Sequence, residues 1–374
     1  MNILHLTTFL QGGAGLAIAE LAAAQRRAGH AVAVVTSHTG APGYGNYPAY
    51  LNTLARADVV VHLVDSSFTR DVAANLNVAR VVERELGGAG AFDVMHTHAA
   101  TPSLIALLLA SRTTRRVPIV QTMHGWGLAK SRSHQRSDIA VMNFIDRVVV
   151  PAATSERLLQ SMGVDRARIS VIPYGVGAPS AVKRADDGLL AELHAWRLRG
   201  GTVLCCIGTL SRRKNQGLLV EALPLLEGAV LCVFVGDGAD DELRALAERL
   251  GVEGLVRFAG YRLSARCYLR EADLFVLPSL SEGQPLSILE AFCDGVPVLA
   301  SDIPALAELV EHGVTGFLFD PADAHEIAAV IERARRLTPK QRHDLCARAR
   351  NLYESRFTLD TMVDGYMNEY RRAV

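Results

Sequence analysis

Short apolar runs rich in β-branched residues alternate with helical patterns along most of the chain, and this alternation restricts the fold more than any other feature. In the first half the runs fall at 2–8, 31–37, 58–64, 93–97, 117–122, 146–150 and 168–172, with helical patterns at 14–29, 68–87, 102–112 and 154–163. The second half continues with runs at 202–207, 229–235, 255–258, 273–277, 296–299 and 315–319. Near-continuous apolar strands joined by crossover helices specify parallel sheets covered on both faces. The expected architecture is α/β, with two doubly wound Rossmann-like domains.

A chain of 374 residues can build two such cores. The polar, irregular stretch "YGVGAPSAVKRADDG" at 174–188 marks the boundary, which gives domains of 1–178 and 179–355. Residues 356–374 stand apart: Leu359, Met362, Val363, Tyr366, Met367 and Tyr370 fall at helical spacing, a stripe expected to pack back on the first domain. Open parallel sheets bind ligands outside the carboxyl ends of their strands, so two such domains predict a site in the cleft between them.

Composition removes some function classes. Lys+Arg and Asp+Glu balance at 39 each, which argues against a general nucleic-acid binder. The six cysteines form no CxxC pair and mostly sit in apolar runs, as reduced thiols of a cytoplasmic protein do. "MNILHLTTFL" lacks the basic flank of a signal peptide, and "LIALLLA" at 104–110 falls far short of the roughly 20 residues of a spanning helix. A cytoplasmic protein is expected.

Two glycine loops follow strands, "GGAG" at 12–15 and "GDGADD" at 236–241. Ile18 and Asp241 occupy the third glycine position of a dinucleotide fingerprint, so neither loop supports an NAD site. A tight strand-to-helix turn and a bare backbone that lets a phosphate or sugar come close both account for them.

The segment "EGQPLSILE" at 282–290 is more informative. Pro285 suits the first helical position, which leaves Leu286 and Ser287 with unpartnered amides, an anion site. Helical side chains lean toward the helix start, so Glu290 can address the same ligand as Glu282 from the other end. A nucleotide sugar has matching parts: a diphosphate for the amides, a ribose diol for one carboxylate and sugar hydroxyls for the other. "GTLSRRKNQ" at 208–216 follows the strand "TVLCCI" and places Arg212, Arg213 and Lys214 at another strand's carboxyl end, where a departing diphosphate needs cations.

These motifs, in this order, resemble those of the family 4 retaining glycosyltransferases of the GT-B fold. "SEGQPLSILEA" resembles the E-x7-E motif; "GDG…VRFAGY", "VPVLASDIPALAELVEHGVTGFLFDP", "GGAG", "VPIVQTMHGW" and "ISVIPYGV" resemble other landmarks of that family, over nearly the whole chain. The resemblance implies donor-sugar contacts for Glu282 and neighbouring Gly283, ribose contacts for Glu290, and diphosphate binding by Arg212 and Lys214, beside the amides of Leu286 and Ser287. Backbone around Tyr261 and Arg262 would hold the base. Gly12 and Gly13 would let the first loop approach phosphates and acceptor, and His124 would lie near the transferred sugar; Trp126, the aromatic of the basic first-domain stretch, is expected on the acceptor side. Two departures are visible: Thr209 stands where many members have Arg, and Tyr174-Gly175-Val176-Gly177 replaces the usual Asn-Gly-Val-Asp.

The implied reaction moves a hexose or N-acetylhexosamine from a nucleotide diphosphate sugar to a hydroxyl of a glycan, lipid-linked or small acceptor. A UDP-sugar and bacterial surface-glycan or glycoconjugate assembly are favoured by family frequency. The sequence holds no Asp-x-Asp, so a metal-independent reaction without cofactor is expected, with His124, Arg212, Lys214 and Glu282 as its catalytic residues. An epimerase of the same fold and a non-catalytic nucleotide-sugar-binding subunit are the alternatives. His96 and His98 in "MHTH" share a strand face but show no third metal ligand in the sequence, which favours a structural role. Residues 94–137 hold no acid but six basic residues and Trp126. The 112–136 part of this stretch is a candidate for peripheral contact with anionic lipid at the inner face of the plasma membrane, or an ordinary solvated surface.

Overall fold

The computed structural model describes residues 1–38, 45–64, 71–126, 130–178, 188–262 and 264–374. They divide into two compact units, Met1–Gly175 with Leu359–Val374, and Val176–Thr358. Most of the expected linker, 179–187, lies outside the described residues.

The first unit carries strands β1 (Asn2–Leu6), β2 (Ala31–Ser37), β3 (Val60–Val64), β4 (Val94–Thr97), β5 (Ile119–Thr122), β6 (Arg147–Val150) and β7 (Ile169–Val171). They form one sheet in the order β3-β2-β1-β4-β5-β6-β7. The second unit carries β8 (Thr202–Ile207), β9 (Val230–Val235), β10 (Val256–Gly260), β11 (Leu274–Leu277), β12 (Val298–Ser301) and β13 (Phe317–Phe319), in the order β10-β9-β8-β11-β12-β13. Every pair of neighbours is parallel. Each apolar run of the sequence becomes one of these strands, because helices cover both faces and bury every side chain of a central strand such as β9. The doubly wound α/β architecture is therefore present twice.

Each sheet has its own core. Leu4, Leu6, Val35, Met95, Ile119 and Val148 of the first sheet pack with Val82, Ile105 and Leu109 from helices. In the second, Leu204, Phe234, Leu274, Leu299 and Phe317 pack with Leu219, Ile327 and Ile331. The helix Leu359–Ala373 docks within the first unit, against the helix Gly12–Arg27 and β5, and buries Met362, Val363, Tyr366, Met367 and Tyr370.

Helix bounds depart from the sequence pattern in two instructive places. Gly12–Arg27 starts at the first glycine of "GGAG", so Gly13 and Gly15 lie in the first helical turn. Pro48–Arg56 is a further helix, with Leu54 as its only buried residue. Four of the six cysteines are buried, and all six are free thiols. No helix among the described residues is long and apolar enough to cross a membrane.

Candidate active site

In both sheets the chain runs outward in one direction and then returns to the centre, so the order reverses between β1 and β4 and between β8 and β11. Loops leaving such a pair of strands diverge and open a crevice at their carboxyl ends. In the second unit those loops are 208–215 and 278–285. They carry the basic segment and Glu282.

The two loops are tied together. The Leu280 amide donates to the Arg213 carbonyl at 2.8 Å, and Arg213 Nη1 donates to the Ser281 carbonyl at 2.7 Å. Lys214 Nζ lies 2.7 Å from Glu282 Oε1, and Arg213 Nη1 lies 2.9 Å from Oε2. Lys214 reaches this position by running along Gly208: a Cβ there would stand 3.1 Å from Lys214 Cε. Burial pushes the Glu282 carboxyl up, but Lys214, Arg213 and the Ser279 hydroxyl together hold it below the ordinary glutamate range. Glu282 is thus a fixed anion, with a side chain 6% exposed.

Arg212 was the expected partner of Lys214 at the diphosphate. Here Arg212 is exposed, and it is Arg213 that pairs with Glu282. Of these adjacent residues, in the turn that ends at Asn215 (φ +54°), Arg213 makes the pair, and no periodicity in the sequence reveals which one does. "GDG" serves the same assembly: a Cβ on Gly236 would lie 2.1 Å from the Gly208 carbonyl oxygen, so the bare backbone lets the β9 loop press on the Lys214 loop. That is a structural role for a motif that also suggested phosphate approach.

The helix Leu286–Asp294 begins four residues after Glu282. Pro285 is its N-cap (φ −75°, ψ 119°) and not its first helical residue, and no side chain caps the helix. The Ile288 amide returns to the Pro285 carbonyl, while Leu286 and Ser287 bring their amides to the uncapped end. Gly283 lies in the loop between Glu282 and this end.

Further along the helix, burial pushes the Glu290 carboxyl up to about 7; Arg266 pulls it down and Asp294 adds to the rise. Protein atoms crowd this carboxyl, yet the residue keeps some access to solvent. Arg266 is held by both oxygens of Asp294, at 2.9 and 3.0 Å, and donates to the Gly177 carbonyl at 2.8 Å. This pair tunes Glu290 and was not singled out in the sequence; its only signal was an acid one turn beyond Glu290. Tyr261 and Arg262 are exposed at the carboxyl end of β10, where Arg262 Nε donates to Tyr268 at 3.1 Å.

A cavity of about 940 Å³ in the second unit lies at the other end of the sheet, lined by Gly201, Asp273, Arg335 and Arg342 beside the starts of β8 and β11. Its Asp273 already binds Arg197 and the Val203 amide. Strand-end chemistry, not volume, therefore selects the 208–215 and 278–290 region.

In the first unit the glycine loop and the histidines share the carboxyl ends of the central strands. Gly12 (φ +57°) adopts the left-handed conformation, and Gly13 follows it in the first turn of its helix. Gly15 is the packed one: a Cβ there would stand 2.5 Å from the Leu10 carbonyl carbon. His124, after β5, has both ring nitrogens in use, with Tyr174 hydroxyl 2.5 Å from Nδ1 and His98 Nδ1 3.1 Å from Nε2. Burial alone pushes its imidazole down to about 4.

Behind it, His5 completes a set of three with His96 and His98, whose ligand atoms lie within 4.8 Å of one another. The missing third histidine sat in β1, and the register of β1 on β4 sets His5 beside His96. Both nitrogens of each of these rings are nevertheless engaged: His5 with His98 and Gln25, His98 with His5 and His124, His96 with Thr122 and Tyr370.

Trp126 packs against the first core and donates through Nε1 to Asp138 at 3.1 Å. The 112–136 stretch does not make one basic face. Arg112, Arg115, Arg116 and Lys130 pair with Glu83, Asp93, Asp146 and Asp138, acids supplied mostly from elsewhere in the chain. Arg115 and Arg116 precede β5 and Lys130 follows it, so they lie toward opposite ends of the sheet.

Comparison with known proteins agrees with this geometry. Residues 11–178 match the family described as Glycosyltransferase Family 4, and residues 201–336 match Glycosyl transferases group 1. Matches over both units make the chain a glycosyltransferase of the GT-B fold. It belongs to the family 4 glycosyltransferases, as the E-x7-E segment implied. It is 26% identical over 301 residues to an Escherichia coli protein named UDP-Gal:alpha-D-GlcNAc-diphosphoundecaprenol alpha-1,3-galactosyltransferase, covering 76% of each chain. It is 29% identical over 312 residues to the D-inositol 3-phosphate glycosyltransferase of Acidothermus cellulolyticus, covering 76% of this chain and 68% of that one. Among solved structures, Anabaena Alr3699/HepE in complex with UDP and glucose aligns over 100% of both chains with a TM-score of 0.81 at 22% identity. WaaG, a glycosyltransferase involved in lipopolysaccharide biosynthesis, aligns over 100% and 99% with a TM-score of 0.71 at 17% identity.

Proposed function

We propose that this glycosyltransferase moves a hexose or N-acetylhexosamine from a UDP-sugar to a hydroxyl acceptor, with retention at the anomeric carbon and without a metal, in bacterial surface-glycan or glycoconjugate assembly. One observation carries the reading: Lys214 and Arg213 converge on Glu282, on the loop that leads into the uncapped start of the helix Leu286–Asp294, which also carries Glu290. Leaving-group charge builds on the diphosphate as the glycosidic bond breaks. Fixed cations and helix amides aimed there stabilise the transition state more than the ground state. Lys214, Arg213 and the more exposed Arg212 supply the charge that a divalent ion supplies elsewhere. Glu282 would accept from sugar hydroxyls and Glu290 from the ribose diol, with the base against the 261–262 backbone.

The acceptor attacks on the face the diphosphate leaves. A double displacement needs a carboxylate nucleophile across the scissile bond. Glu282 is already committed to two cations, which disfavours it for that task. The E. coli relative's name, with its UDP-Gal donor and diphosphoundecaprenol-linked acceptor, supports a UDP-sugar and a lipid-linked glycan here.

A thermal-shift screen of UDP-, GDP- and ADP-hexoses in excess chelator tests donor and metal together, since a ligand of the native state raises the apparent Tm. A UDP-sugar should give the largest rise, and transfer to a polyprenyl-diphosphate sugar should proceed with the anomeric coupling of the donor preserved. No rise with any nucleotide sugar, or turnover that returns only on adding Mg²⁺, would sink the reading.

A further inference from the structure

A continuous hydrogen-bonded chain runs through the core of the first unit and ends at His124. Gln25 Oε1 lies 2.8 Å from His5 Nε2, His5 Nδ1 lies 3.0 Å from His98 Nε2, and His98 Nδ1 lies 3.1 Å from His124 Nε2. The Tyr174 hydroxyl closes it at His124 Nδ1. Gln25 and His5 are fully buried, and His98 and Tyr174 are 7% and 4% exposed.

A neutral imidazole carries one hydrogen, so a ring that donates at one nitrogen accepts at the other. Polarity set at one end of such a chain therefore reaches the other end. Gln25 sets it. Its amide nitrogen lies 3.2 Å from the Tyr370 oxygen and 3.9 Å from the Met367 sulfur, both on the helix Leu359–Ala373. Sulfur has no hydrogen to give, so the NH₂ edge belongs on that side and the amide carbonyl on the side of His5. His5 then donates at Nε2 and accepts at Nδ1, and His98 and His124 must do the same.

We propose that Gln25, His5 and His98 are positioning residues that fix His124 as the Nε2–H tautomer, so that its Nδ1 is always a hydrogen-bond acceptor. Tyr174 occupies that acceptor here, and a substrate hydroxyl can take its place. The proposal deepens the glycosyltransferase function proposed above and rests on it, with His124 near the transferred sugar as the family resemblance implies. It makes His124 a neutral reader of hydroxyl donors and not a general acid. Burial keeps the chain uncharged, with the His5 and His124 imidazoles pushed down to about 4 and those of His96 and His98 well below their ordinary value. A neutral ring suits this reaction, because an imidazolium would repel the positive charge of an oxocarbenium-like transition state.

The test is the tautomer itself, read from ring ¹⁵N shifts and couplings in histidine-labelled full-length protein. In the wild type His5, His98 and His124 should all carry hydrogen on Nε2. His98→Phe and Gln25→Leu, which cut the chain near to and far from its end, should each turn His124 into a mixture of tautomers and lower kcat about tenfold or more. Donor KM should change less than kcat. His124 protonated at Nδ1 in the wild type, a reading that needs no variant to fold, overturns the proposal. So does a His124 tautomer unchanged in both variants. UDP-sugar binding that leaves the His124 shifts untouched would instead fault the placement of His124 beside the sugar, while the relay stands.

Discussion

Lys214 and Glu282 meet at 2.7 Å on loops that leave the two strands where the second sheet reverses its order. Their side chains are 10% and 6% exposed, so the pair is shielded from solvent screening. An ammonium has three donors, and Glu282 needs one of them. The remaining donors stay available to a diphosphate, and the carboxylate keeps capacity for sugar hydroxyls.

Lys214→Met leaves a buried carboxylate with Arg213 as its remaining cation. Losing one member of a buried pair costs about 3–5 kcal/mol, and Arg213 should hold the loss near the lower figure. Turnover should fall about 10²–10³-fold, as when one preorganised charge is removed from a transition state. Adding Glu282→Gln removes the orphaned charge and should restore part of the stability but none of the activity. Urea unfolding and a transfer assay on the four proteins of this cycle check both statements. Equal and additive losses would mean that the two side chains are not coupled.

Glu282 also predicts an acid limit. Its carboxyl is held below the ordinary value in the folded chain, so its stabilising contribution is complete above about pH 4.3, the ordinary glutamate value. It fades as pH falls through the depressed folded value. Glu282→Gln should be less stable than the wild type at pH 7, and the gap should narrow below pH 4. Melting curves across that range would show it, and a gap that stays constant with pH contradicts the ion-pair account.

The sheets were legible in the sequence because buried parallel strands read as apolar runs, and the crevice followed from strand order alone. What each turn does inside the crevice was not. Whether Arg212 or Arg213 faces Glu282 depends on backbone angles near Asn215, and residue type does not encode them. The basic stretch at 112–136 looked unopposed because Glu83, Asp93 and Asp146 lie outside it in sequence. His5 was hidden for a similar reason. A single histidine in an apolar strand carries no pattern, and only the pairing of β1 with β4 brings it to His96 and His98.

Two glycines should prove structural. Gly236→Ala would set a methyl group 2.1 Å from the Gly208 carbonyl oxygen, and Gly15→Ala would set one 2.5 Å from the Leu10 carbonyl carbon. Neither obstacle is a flexible side chain, so the backbone must move, at a cost of about 1–3 kcal/mol each. Gly236→Ala should also lower turnover, because it displaces the segment that carries Lys214. Gly254→Ala, with open space around its Cβ, is the control and should change neither Tm nor rate.

Glu290 gives the opposite pH signature. Burial raises its folded pKa to about 7, so its ionised form is disfavoured on folding. The stabilising contribution of the neutral form is complete below about pH 4.3 and is lost as pH rises toward 7, with a loss of up to about 4 kcal/mol above that point. Glu290→Gln should therefore match the wild type in stability near pH 4 and exceed it at pH 8. Donor binding should show the complement. If the ribose diol donates to the Glu290 carboxylate, binding favours the ionised form, releases a proton near pH 6, and tightens by up to tenfold per pH unit as pH rises toward 7. Calorimetry of UDP-sugar binding in two buffers of different ionisation enthalpy measures that proton directly. Glu290→Gln should bind more weakly and release none. A proton release that persists in this variant would assign the titration to another group and remove Glu290 from the ribose.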